Sequence, residues 1–186
     1  MKVSELMAGI APSKTFEGIA NTDDFVLAID ISEPREDGTP TAVDDYEVVQ
    51  GAVGGVDANL SSETSDKTYI REGKSTTKTS TQRTFSVSGD RKHGVPFQDF
   101  CFSHAIKFGS GAKVVRPYVY FSMLTGEGEK GEASIIVNSD GSGDAGNTAE
   151  FDVDISATKI PDEYTYAPAV SAASAAARSR SEEVKV

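Results

Sequence analysis

The stretch from Gly54 to Asp90 constrains this chain most. It reads G-G-V-D-A-N-L-S-S-E-T-S-D-K-T-Y-I-R-E-G-K-S-T-T-K-T-S-T-Q-R-T-F-S-V-S-G-D. Val56, Ala58 and Leu60 alternate with Asp57, Asn59 and Ser61. Beyond Glu72-Gly73, Thr81, Arg83, Phe85 and Val87 alternate with Gln82, Thr84, Ser86 and Ser88. Period-two alternation around a glycine turn predicts two strands of one β-hairpin, over about 57–84. Between Glu63 and Ser80, Tyr69 and Ile70 are the only large apolar side chains. Such a ribbon cannot be buried in its own domain, and its two strand edges invite pairing with another chain. The expectation is an assembly element.

At 186 residues the chain suits one domain. A net charge of −11 lacks the basic footprint of a protein that grips nucleic-acid phosphates. It suits a surface that DNA must pass without sticking, and equally an ordinary acidic protein. One cysteine, Cys101, permits no internal disulfide, which suits a reducing compartment. The amino-terminal run carries Glu5 within its apolar residues and has no signal-peptide core. No stretch approaches 18 apolar residues, so no membrane insertion is expected.

In chain order, residues 1–22 form an arm with scattered apolar positions. It packs on its own domain or a neighbour, or it is a loosely ordered terminus; the sequence leaves these open. Asp24–Ser32 predicts a strand with Phe25, Leu27, Ile29 and Ile31 facing the core. Residues 33–41, with Pro34, Gly38 and Pro40, predict a loop. Tyr46–Val56 predicts a strand loosened by Gly51, Gly54 and Gly55, a sign of a bulge or a close backbone approach. Phe97, Phe100, Cys101, His104, Ala105 and Phe108 recur at helical spacing, so Pro96 to Phe108 predicts one helix with that face inward. Lys113–Phe121 predicts a strand that Pro117 confines to an edge or a bulge. Glu132–Asn138 and Ala149–Ile155 complete the strands. The fold class is mainly β with some α: an antiparallel sandwich or barrel-like domain over 23–166 with one flanking helix. Residues 167–186, rich in Ala and Ser, predict a flexible tail.

Catalytic and metal chemistry finds no foothold. Two histidines and one cysteine supply no convergent ligand set. Gly73-Lys74-Ser75 ends like a phosphate loop, but Thr68 stands where the first glycine belongs, and a strand follows instead of a helix. Asp140–Glu150 has spaced carboxylates, yet Ala145 occupies the glycine position of a calcium loop. No nucleophile pairs with a base, so neither an enzyme nor a cofactor is expected.

Several blocks, taken together, resemble the major tail tube protein of long-tailed bacteriophages and related prophages. They are K-T-Y-I-R-E-G-K-S-T-T-K-T-S-T-Q-R-T-F-S-V-S-G-D-R with V-P-F-Q-D-F after it, then Y-V-Y-F-S-M-L-T-G-E-G-E-K-G-E-A-S-I-I-V-N-S-D-G-S-G-D-A-G-N-T-A-E, and P-D-E-Y-T-Y-A-P. They span about residues 20–168. The resemblance implies a β-sandwich with a flanking helix, assembled as hexameric rings stacked into a hollow tube. It implies a tape-measure protein and tail-end proteins as partners, passage of double-stranded DNA, and a virion location after assembly in the bacterial cytoplasm. On that footing the hairpin charges Glu63, Asp66, Lys67, Arg71, Glu72, Lys74, Lys78 and Arg83, with Tyr69, are the candidate contacts between subunits or rings. The row Glu150, Asp152 and Asp154 is the candidate channel lining. The alternative is a monomeric immunoglobulin-like binding or adhesion module.

Overall fold

A computed structural model describes residues 1–33 and 39–167. The centre of the expected 33–41 loop and the Ala/Ser-rich tail from residue 168 lie outside the described residues. One eight-stranded antiparallel sheet carries the fold. Its strands are β1 (Phe25–Ile29), β2 (Glu47–Val48), β3 (Val53–Tyr69), β4 (Gly73–Asp90), β5 (Val115–Ser122), β6 (Glu127–Ser142), β7 (Glu150–Ala157) and β8 (Asp162–Thr165). The order is β2-β1-β5-β6-β7-β4-β3, with β8 also paired to β6.

Strand β6 is the hinge of the architecture. Its first half pairs with β5 and β8, and its second half pairs with β7 across two register shifts. Such irregularities bend a long strand and strengthen its twist. The sheet therefore folds over on itself as a sandwich that stays open. Phe85 of β4 meets Tyr118 and Tyr120 of β5 across the core, with ring centroids 5.4 and 5.0 Å apart. Leu27, Ile29, Phe85, Val87, Ile135, Phe151, Val153 and Ile155 fill the space between the layers. Alternation along β7 puts its apolar residues there and its carboxylates outside.

The two terminal strands of the order, β2 and β3, are consecutive in sequence, and the chain crosses the open seam between them at Val49–Ala52. Gly51 and Ala52 both hold positive φ there, +85° and +59°. The register shift between Val53 and Gly55 follows at once. The glycine cluster thus marks a bulge and a sharp crossing, which splits the strand expected over 46–56 into β2 and the first residues of β3.

Three other expectations are corrected. Strand β1 is buried on both faces: Leu27 and Ile29 face the main core, while Val26 and Ala28 face a second cluster. That second cluster exists because a short helix α1 (Val3–Leu6) lays Val3 and nearby Met7 on the sheet's other side, beside Phe121 and Tyr166. Phe25, placed inward by alternation, is instead 41% exposed. Strand β5 is central, not an edge. Pro117 is tolerated because β1 pairing stops at Tyr118, and its carbonyl still accepts from Asp30 N.

The single helix becomes two, α2 (Pro96–Cys101) and α3 (His104–Lys107), because Ser103 adopts extended dihedrals. That break resets the helical phase. Ile106 turns inward, while His104 and Phe108 come to the surface and contact each other at a tilt, with centroids 4.9 Å apart. The residue the periodicity passed over is Gln98, which is fully buried. Its Nε2 donates to the carbonyls of Gly51 and Asp90, at 2.7 and 3.2 Å. Its Oε1 accepts from Lys92 N and from Arg91, at 2.7 and 3.1 Å. This one amide ties α2 to the seam crossing and to the end of β4.

Candidate assembly surfaces

The ribbon formed by β3 and β4 pairs from Val53↔Gly89 to Tyr69↔Gly73, with a second register shift between Glu63 and Thr64. Pairing of β4 with β7 ends at Thr84↔Ser156. From there to the tip the ribbon has no neighbouring strand on either side among the described residues. Ten residues of β3 and eleven of β4 project, roughly 30 Å at strand rise. Every side chain from Asp57 to Ser80 is exposed. A free β-ribbon of this length is marginal in water and leaves two rows of backbone donors and acceptors unpaired.

Most of the sequence-selected ribbon residues stand on this projection. Asp66 is engaged within it: Lys74 Nζ lies 2.7 Å away and Thr76 Oγ1 donates at 2.7 Å, which together hold its carboxyl below the usual carboxylate range. Glu63 accepts from Ser80 Oγ at 2.9 Å. Tyr69, Lys67, Arg71, Glu72 and Lys78 are exposed. Arg83 belongs elsewhere. Its Nε donates to Glu129 at 2.6 Å, its guanidinium lies over the rings of Phe85 and Tyr120, and only 10% of its side chain is exposed. Arg83 therefore clamps the ribbon's root to β6 within the subunit.

The turn closes over Ile70–Glu72, one step before the Glu72-Gly73 position read from sequence, with Glu72 N donating to Tyr69 O. Arg71 takes φ of +70° and Ile70 is 91% exposed. No sequence signal marks Arg71 as left-handed, since that position ordinarily draws glycine or asparagine.

The row Glu150, Asp152 and Asp154 lies on the sheet face turned away from the core. The register aligns Asp57, Ser86, Asp154 and Ile136 across four strands, and Asn59, Thr84, Ser156 and Ser134 beside them. Asn138 Nδ2 donates to both Asp152 and Asp154, at 2.9 and 2.8 Å, and Ser86 Oγ donates to Asp154 at 2.6 Å. The face is thus a platform of Ser, Thr, Asn and carboxylates with the exposed Ile136 among them, and no lysine or arginine at these positions.

A cleft of about 310 Å³, with a mixed polar and apolar lining, opens at the seam between β1 and the start of β3. Leu6, Phe25, Val53, Tyr120 and Met123 line it together with the polar Thr22, Asp23 and Gln50. Cys101 is buried under α2, where loss of water pushes its thiol up to about 12, so it stays protonated and unreactive at neutral pH. Among the described residues no three potential ligands gather to hold a metal ion, and no helix is long and apolar enough to cross a membrane.

No protein-family model and no curated protein matches the sequence. Solved structures do match by shape. One is a chain from the tail of an empty gene transfer agent particle, determined with helical refinement and C6 symmetry. It shares 14% identity, with a TM-score of 0.50, and the match covers 80% of this chain and all of that one. Another is a chain from the virion of a native gene transfer agent particle, at 12% identity and a TM-score of 0.49, with the same coverage. The fold of this chain is one found in the tail of a gene transfer agent particle.

Proposed function

We propose that this chain is a structural subunit, without catalytic activity, that assembles with copies of itself into hexameric rings. The rings stack into the hollow tube of a virion tail. The observation that carries this reading is the ribbon: a projection of unpaired strand edges that the subunit cannot satisfy alone. Pairing across copies removes such edges, as closure of a barrel does. The fold shared with a chain of a C6-symmetric tail supports the same reading.

The cation-free face bearing Asp57, Glu150, Asp152 and Asp154 suits the channel wall, because repulsion of phosphates lets double-stranded DNA move without counterion-release binding. A tape-measure protein occupies that channel during assembly in the bacterial cytoplasm, and tail-end proteins close its two ends. The assembling domain is residues 23–166, the arm 1–22 joins it through α1, and the tail 167–186 lies beyond it.

Electron microscopy of the concentrated purified chain tests the proposal. Rings or tubes are expected, and deleting Asp66 to Lys78 should leave a folded monomer that no longer polymerises. A monodisperse full-length monomer under every condition would overturn the reading and favour a solitary binding module.

A further inference from the structure

Three features of the ribbon tip are unfavourable for a turn that ends in water. Ile70 is almost wholly exposed, Tyr69 is half-exposed beside it, and Arg71 holds a backbone conformation that L residues rarely adopt. Outliers of this kind persist where another contact over-determines them. The charge pattern says what that contact is. Residues 67–78 carry Lys67, Arg71, Lys74 and Lys78 against Glu72 alone, a net of +3 in a chain of −11. Residues 17–57 hold eleven carboxylates against Arg35 alone, a net of −10. The tip is complementary to the part of this chain that builds β1, β2 and the seam.

Within one molecule the two cannot meet. Val53 and Tyr69 are the ends of one strand, about 50 Å apart at strand rise. A second copy must therefore supply the partner.

Two recesses could receive the tip. The notch of about 410 Å³ at the ribbon's root is walled by Leu60, Ile160 and Pro161, and its charged lining is Lys78 and Arg83 with no carboxylate. It would repel Arg71. The seam cleft offers the apolar side chains Phe25, Val53, Tyr120 and Met123 with Asp23 in the same lining, and the Asp23 side chain makes no hydrogen bond or ion pair of its own among the described residues. We propose that the tip of one copy docks into the seam cleft of another, with Ile70 on those apolar side chains and Arg71 against Asp23. This names the acceptor of the ribbon and rests on the assembly reading above. The contact joins two different patches, so it propagates instead of closing as a dimer.

The test mixes two full-length variants, Ile70→Cys in one preparation and Met123→Cys in the other, under assembly conditions followed by mild oxidation. A disulfide-linked pair in the assembled material is expected, since only an intermolecular contact can form it. Tubes that form without that link overturn the docking while leaving the assembly proposal standing. So does an Ile70→Cys copy that links to Ile160→Cys instead. A wild-type chain that never assembles overturns the assembly proposal itself. Charge reversal gives an independent readout. Arg71→Asp or Asp23→Arg alone should raise the critical concentration on the order of tenfold, and the double reversal should restore it. A double variant no better than either single one overturns the Arg71–Asp23 contact. All five substituted positions are at least partly exposed, so folding is spared.

Discussion

A single buried amide shows how the residue scale governs this fold. Gln98 bonds two carbonyls and the Lys92 amide at the seam crossing and the end of β4, and takes a further bond from Arg91. A buried group stripped of its partner costs about 1–3 kcal/mol, so Gln98→Leu, which keeps the volume and removes every bond, should destabilise by about 2–4 kcal/mol. Urea unfolding measures it, and an effect under about 0.5 kcal/mol would refute the role. Nothing in the sequence pointed to this residue. Glutamine among phenylalanines reads as the polar side of a helix, because the periodicity that finds apolar faces is blind to a polar side chain whose partners lie far off in sequence. The same blindness put His104 and Phe108 inside, since a period carries no notice of the break at Ser103. Arg83 was legible as a strand residue, but its ion pair with Glu129 joins residues 46 positions apart. No local pattern encodes such a pair.

At the scale of elements, the ribbon was the most legible part. Its alternation, polar length and turn all survive, because a hairpin is local and has no tertiary context to override it. The central strands were less so: β1 seemed one-sided until α1 covered its second face, and Pro117 suggested an edge because the proline rule does not know where the neighbouring strand stops. Strand β6 carries the demand that shapes the sandwich. A Cβ at Gly128 would lie 2.1 Å from the Tyr120 carbonyl and 2.5 Å from Phe121 Cα, both backbone atoms of β5 that cannot swing aside. Gly128→Ala should therefore push β5 and β6 apart and destabilise by about 2–4 kcal/mol, through backbone strain and lost packing under Phe121. Thermal unfolding checks it. A melting temperature within a degree of wild type would mean that β6 yields where this packing says it cannot.

At the scale of the whole molecule, charge is sorted along the chain, and the sorting makes the channel proposal testable. The ribbon's outer reach is basic, and the platform of Asp57, Glu150, Asp152 and Asp154 is acidic and solvent-facing. Its side chains point away from the core, so reversing Glu150, which lies outside the acidic stretch that receives the ribbon tip, to lysine should leave folding and assembly intact. In a tube the reversal is repeated in every copy of every ring, so the wall gains positive charge everywhere at once. Duplex DNA should then bind assembled particles at low salt and be released as salt rises, because attraction to phosphates is a counterion-release effect. Wild-type tubes should bind nothing. The topology of the DNA tells a channel wall from an outer wall. A linear fragment can thread a tube and a closed circle cannot, so co-sedimentation of the variant with linear but not circular duplex is the expected result. Equal capture of both would put the acidic platform on the outside of the tube.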